Sequence, residues 1–203
     1  MKKNVSAIVS GAGWIGSFAD GLIRELRKRD ISDEAIHSIV VEGGELPIGK
    51  IADALAEVIQ RAKNIFSLTI NYTRTIEDGV KAGKYDWANS DITTNHFPSK
   101  ETGTKEVSIE LIHFGQDKTT DEVLSELDKK GLRPATLKEL LALGEKHPDL
   151  QREFLIVAFG SVWQDADDRY CAYLDGGGSE RGLDLGWVDG RWDDFFRFAA
   201  VRK

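Results

Sequence analysis

Residues 165–198 read DADDRYCAYLDGGGSERGLDLGWVDGRWDDFFRF and constrain this chain more than any other part. The stretch holds eight Asp, six Gly, three Phe, two Tyr and two Trp. It has no Lys, Gln or Met and one Glu (Glu180), whereas the first 164 residues contain 33 residues of these four types. A core rarely uses this much Asp and Gly, and a solvated surface usually includes Lys and Glu. Short polar and aromatic side chains on a Gly-rich frame are the material of a contact surface. Period-two patterning adds a direction. Leu183, Leu185 and Trp187 alternate with Asp184, Gly186 and Val188, which predicts the first set inward and the second outward. Trp163, Trp187, Trp192 and Phe198 read as core framework.

Bulk properties narrow the class. A chain of 203 residues is one large domain, or one domain with a small helical appendage. Net charge of -7 opposes nonspecific nucleic-acid binding and membrane-surface binding. One cysteine, Cys171, excludes an intramolecular disulfide and a cysteine-based metal site. No apolar span is long enough for membrane insertion, and the N-terminal apolar stretch is too short and Gly-broken for a secretion signal. The expectation is a cytoplasmic protein. His37, His96, His113 and His147 show no metal-ligand spacing, and no cofactor is expected.

The periodicity predicts an N-terminal helical unit over residues 1–64, with helices over 14–29, 32–41 (N-cap Ser32) and 48–63. The remainder, 65–203, mixes strands and helices, so the fold class is α+β. Strands are expected at 66–70, 107–113, 154–163, 170–174, 183–187 and 196–202. Helices are expected after Thr75, Thr120 and Thr136, with Thr136-Leu-Lys-Glu139 a capping box.

Gly11-Ala-Gly13-Trp-Ile-Gly16 matches a dinucleotide-binding fingerprint, with Ile39-Val-Val-Glu42 as a possible second strand bearing an acidic end. About seventy residues precede the mixed region, room for half such a domain. A nucleotide-binding enzyme or sensor using Gly11, Gly13, Gly16 and Glu42 is the alternative reading.

Gly131-Leu-Arg-Pro-Ala-Thr-Leu-Lys-Glu-Leu resembles the RLPT-x-x-E-[LW] helix of the C-type-lectin fold, in the version found in formylglycine-generating-enzyme-like and bacterial lectin-like domains. Gly160-Ser-Val-Trp163 is similar to its YWSS-type strand, and Arg197-Phe-Ala-Ala-Val-Arg202 to its closing GFRxVR strand. YDWANSDIT (85–93), ELIHF (110–114) and the run 133–154 look closer still to variable proteins of diversity-generating retroelements. The resemblance covers roughly residues 65–203. It implies a C-type-lectin-like fold whose C-terminal region, about 164–198, is rewritten through adenine mutagenesis. Adenine-derived NNY codons cannot encode Lys, Glu, Gln, Met or Trp, which matches the composition above with Glu180, Trp187 and Trp192 as fixed exceptions. Formylglycine-type oxidation does not follow, because those enzymes hold metal through cysteine. Trp192-Asp-Asp194 echoes the lectin calcium motif, and nothing matches its second loop.

The expected function is non-enzymatic binding of a macromolecule, most simply a protein, by a diversified surface. The candidate contact residues are Asp165, Asp167, Asp168, Tyr170, Asp175, Asp184, Gly186, Val188, Asp189, Arg191, Asp193, Asp194, Phe195 and Phe196. The N-terminal unit is a candidate for homo-oligomerisation.

Overall fold

In the computed structural model of the chain, residues 11–42, 50, 53–55 and 64–203 are described. Two units divide between Ile59 and Gln60, close to the expected boundary. In the first, α1 spans Gly11–Arg27, with Arg24 and Arg27 in its last turn, where cations oppose the helix dipole. α2 spans Asp33–Glu42. The Ser32 hydroxyl accepts the Ala35 amide at 3.2 Å, the expected N-cap. Arg27 bridges the connection, donating to both Asp33 oxygens at 2.8 and 2.9 Å. The strand reading of Ile39–Glu42 is overturned, since these residues close α2. The expected third helix lies largely outside the described residues, although 53–55 are helical.

The second unit runs β1 (Ile65–Asn71), α3 (Ile76–Gly83), β2 (Trp87–Ala88), β3 (Thr104–Ile112), β4 (Lys118–Thr119), α4 (Thr120–Lys129), β5 (Leu132–Pro134), α5 (Leu137–Lys146), α6 (Leu150–Glu153), β6 (Leu155–Asp165), β7 (Asp168–Gly177), β8 (Glu180–Trp187), β9 (Arg191–Trp192) and β10 (Phe196–Arg202). Thr75 caps α3 by accepting the Asp78 amide at 3.1 Å. Thr136 and Glu139 form the capping box of α5, as expected. The cap of α4 is Thr119, with Glu122 completing its box, where Thr120 was expected. Thr120 is freed for the interior: its hydroxyl donates to the Val188 carbonyl and accepts the Trp192 indole N–H at 2.9 Å.

The main sheet has eight strands in the order β1-β3-β10-β6-β7-β8-β2, with β5 also on β10. All pairs are antiparallel except β10–β6 and β2–β8. β4 and β9 form a separate two-stranded ladder. Both faces of the sheet are covered at its central strands, β10 and β6. Ile156, Ala158, Ala199, Val201 and Leu183 face a core completed by Ile76 of α3 and by Leu137, Leu140 and Leu141 of α5. The intervening Val157, Phe159, Phe198 and Ala200 face a second core with Val123 and Leu127 of α4, Val188 and Trp192. Alternation along these strands therefore sorts residues between two cores, and polarity marks no outer face.

β10 sits in a fork. Its first half pairs with β6 and its second half with β5, because β6 shifts register between Ala158 and Val162. The Gly160 amide reaches the Ala135 carbonyl at 2.8 Å, and the Ala135 amide reaches the Ala199 carbonyl at 2.8 Å. A Cβ on Gly160 would lie 2.5 Å from the Ala135 oxygen and 2.8 Å from the Pro134 oxygen, both of them backbone. Gly160→Ala is expected to cost about 1–3 kcal/mol in urea unfolding, because the fork must open to admit a methyl group. An unchanged midpoint would show that the fork yields.

Candidate functional site

At the tips of β6, β7 and β8 the exposed Trp187 joins two half-buried aromatic residues, Trp163 and Tyr170. Trp163 pairs in register with Tyr170, and Tyr170 pairs with Trp187. Cross-strand partners share a face, so three aromatic residues on three neighbouring strands form one row. The Trp163 and Tyr170 rings lie 5.7 Å apart. His96 extends the row by stacking on Trp163, 4.2 Å between centroids and 5° from parallel. Its ring is fixed from the other side by a 2.8 Å contact of Nδ1 with the Asp91 carbonyl oxygen.

Trp187 is 53% exposed, which corrects its assignment to the core. It follows Leu183 and Leu185 on their face of β8, but that core ends before the strand does. The tight β6–β7 turn, with Ala166 in the left-handed region at φ 50°, sets Asp165, Asp167 and Asp168 beside this row. All three are exposed, and none of their side chains is engaged by another described residue.

The other candidates sort differently. Val188 is 3% exposed and packs in the second core, so it is no contact residue. The chain turns after Trp187 and its next amide bonds the Arg169 carbonyl at 2.8 Å, which swings Val188 inward. Gly186 is a packing position: a Cβ there would meet the Trp192 ring at 2.5 Å. Asp189 is engaged by the Arg169 guanidinium, which holds its carboxyl below the usual range. Asp184 accepts from Asn89 at 2.9 Å, from Tyr173 at 3.3 Å and from the Leu185 amide at 2.7 Å, so it serves the fold. Burial pushes the Asp175 carboxyl up, and the neighbouring Asp184 adds to this. Arg191 is exposed on β9 and approaches the Asp117 carbonyl at 3.5 Å.

Asp193, Asp194, Phe195 and Phe196 lie elsewhere. Phe196 opens β10 opposite Leu155, the first residue of β6, whereas Asp165 is the last. Along an eleven-residue strand these ends are roughly 30 Å apart. The candidate residues therefore form two separate groups. Phe195, one of the candidate contact residues, is 70% exposed beside Asp193 and Asp194. Phe196 is half-buried, edge-on to Trp192 at 4.9 Å.

Sequence reasoning missed Arg181, which is 6% exposed. Its guanidinium donates to the Gly83 carbonyl at 2.7 Å, the Gly144 carbonyl at 2.8 Å and the Gln151 Oε1 at 2.9 Å, and lies 5.0 Å from the centre of the Tyr85 ring. It locks β8 to α3, α5 and α6. A lone Arg between Glu180 and Gly182 gives no sequence signal for this, since every acceptor is remote.

Gly11, Gly13 and Gly16 fall within α1. A phosphate cradle needs such glycines in the turn before a helix, where amides are free. Residues 5–9, where the strand leading into such a fingerprint would run, lie outside the described residues. In a cavity of about 170 Å³ between β1, α3 and α5, Arg74 is paired with Glu145 at 2.5 Å and Lys138 donates to the Tyr72 carbonyl. Among the described residues, no group of three or more His, Cys, Asp or Glu is placed to hold a metal ion. No described helix is long and apolar enough to cross a membrane. No family model matches this chain, and neither a curated protein nor a solved structure is significantly similar to it.

Proposed function

We propose that residues 60–203 form a non-enzymatic binding module of the C-type-lectin type that presents the β6–β8 tip to a protein ligand. The observation that carries this is the row Trp163–Tyr170–Trp187 beside three unengaged carboxylates. Aromatic rings supply rigid contact area at low entropic cost, and Asp supplies acceptors and negative potential. The partner surface is basic, and binding weakens with added salt to the extent that the Asp residues carry it. Support for the lectin-type fold comes from the Thr136–Glu139 helix start, the closing strand inside the sheet and the long late strands.

Diversification by a retroelement is part of this reading. Its signature is a near-copy of the 3′ end of the reading frame, differing at adenines and lying beside a reverse-transcriptase gene. The variable codons should fall on exposed positions such as Asp165, Asp167, Asp168 and Asp193. They should spare the buried Cys171, Arg181, Leu183, Val188, Trp192 and Phe198. A copy whose differences fall on the buried set would sink the proposal.

A biochemical test uses Trp187→Ala and Tyr170→Ala. Each should weaken a partner captured by the wild-type chain by about tenfold, the scale of a 1–2 kcal/mol contact. Thermal unfolding of Trp187→Ala should shift little, because the ring packs in neither core. Undiminished capture by the double variant would remove the tip from the mechanism.

A further inference from the structure

At the opposite end of β6, a groove of about 490 Å³ opens between α6, the start of β10 and the loop before it. We propose that this groove is a second binding subsite, one that takes a peptide carboxylate adjoining an apolar side chain, with Arg197 as its anchor.

Among the described residues Arg197 is the half-buried arginine of this unit without a hydrogen-bond or ion-pair partner; Arg202 also has none but is exposed. Arg133 is held by Glu139, Arg74 by Glu145 and Arg169 by Asp189. Arg181 is surrounded by acceptors, and Arg152 reaches the Gly178 and Ser179 carbonyls. Arg197 is half-buried with its guanidinium over the Phe154 ring, 4.7 Å from the centroid. None of its N–H groups meets an acceptor among the described residues. Burial lowers its pKa, and the nearby Asp194 only partly offsets this. A half-buried guanidinium held over a ring, with no protein acceptor, is open to an anionic ligand.

The surroundings select the acceptor. A guanidinium stacked on one ring keeps its N–H edges free for a planar, two-oxygen anion. Phe154 and the exposed Phe195 give the groove apolar walls, which favour an organic carboxylate over a bare inorganic ion. Arg152, Glu153 and Asp194 also line it, and the two carboxylates repel a phosphate dianion more strongly than a singly charged carboxylate. His113 Nε2 donates to the Asp194 carbonyl at 2.8 Å, and the contact pins the loop that carries Phe195.

This subsite is independent of the tip, so the two proposals fail separately. The test titrates the full chain with N-acetyl-leucine, N-acetyl-leucinamide and inorganic phosphate, following Arg197 Nε and the Phe195 amide by NMR. N-acetyl-leucine should give saturable shifts at both positions, and the amide and phosphate should not. Arg197→Gln, which removes the charge and leaves a polar side chain, should weaken the acid at least about fivefold, the loss of a charge-assisted contact. Asp194→Asn should tighten it by about two- to threefold by removing a like charge. Equal shifts from the leucinamide, tighter binding of phosphate, or full binding by Arg197→Gln would overturn the proposal. Asp194→Asn leaves the buried structure intact, so an absence of tightening counts against the carboxylate even if the Arg197 variant fails to fold.

Discussion

Arg181→Leu is expected to destabilise the second unit by about 3–5 kcal/mol, the largest effect of any single change outside the apolar cores. Leucine fills much of the volume but leaves the Gly83 and Gly144 carbonyls and the Gln151 side chain without their donor. Both carbonyls lie at or near helix C-termini, where unpaired C=O groups and the helix dipole favour a cation. The contact with Tyr85 is lost as well. At this size each kcal/mol lowers Tm by roughly 2–4 °C, so calorimetry should read a fall of about 10 °C. Arg181→Lys should recover part of the loss, since one ammonium cannot span acceptors set around a planar fork. A leucine variant as stable as wild type would mean that water replaces the guanidinium. The result bears on function too. Arg181 lies inside the stretch expected to vary, so a diversified tail must keep this codon fixed.

Glu139→Gln is expected to cost about 3 kcal/mol near neutral pH. Glu139 is 0% exposed and receives both Arg133 nitrogens, at 2.6 and 2.9 Å, the Tyr72 hydroxyl and the Thr136 amide. Burial alone would push its carboxyl up. The hydrogen bonds from Arg133, Tyr72 and Thr136 outweigh burial and hold it below the ordinary 4.5. A depressed carboxyl pKa stabilises the fold above its unfolded value, and that contribution is lost as pH falls through the folded value. Wild-type stability should therefore decline in acid below about pH 4.5, where unfolded-state glutamate takes up protons. The Gln variant lacks this component, and the two stability curves should converge as pH falls. Parallel curves from neutral pH into acid would show that Glu139 does not set the acid limb.

The same residues show what was legible beforehand. Thr136 and Glu139 sit three apart and define a helix start through local bonds, so the capping box was readable. So were β1, α3 and the late strands, whose patterns lie within a few residues. Thr119 and Thr120 are adjacent and chemically alike. Which of them caps α4 depends on Trp192 and Val188, some seventy positions away, which claim Thr120 for the interior. Val188 and Trp187 were exchanged for a related reason. An in-and-out reading assumes one wet face, and this sheet has a core on each side.

By itself the sequence determined the mixed α+β class and the unusual character of residues 165–198. Composition, caps and periodicity are local properties, and these features depend on nothing more. Tertiary structure decided which of those residues meet solvent, and it divided them between two ends of β6. It also brought Trp163, Tyr170 and Trp187 into one row and left Arg197 without an acceptor. Strand register and the fork at Gly160 fix these outcomes, and both arise from backbone hydrogen bonds between segments far apart in the chain.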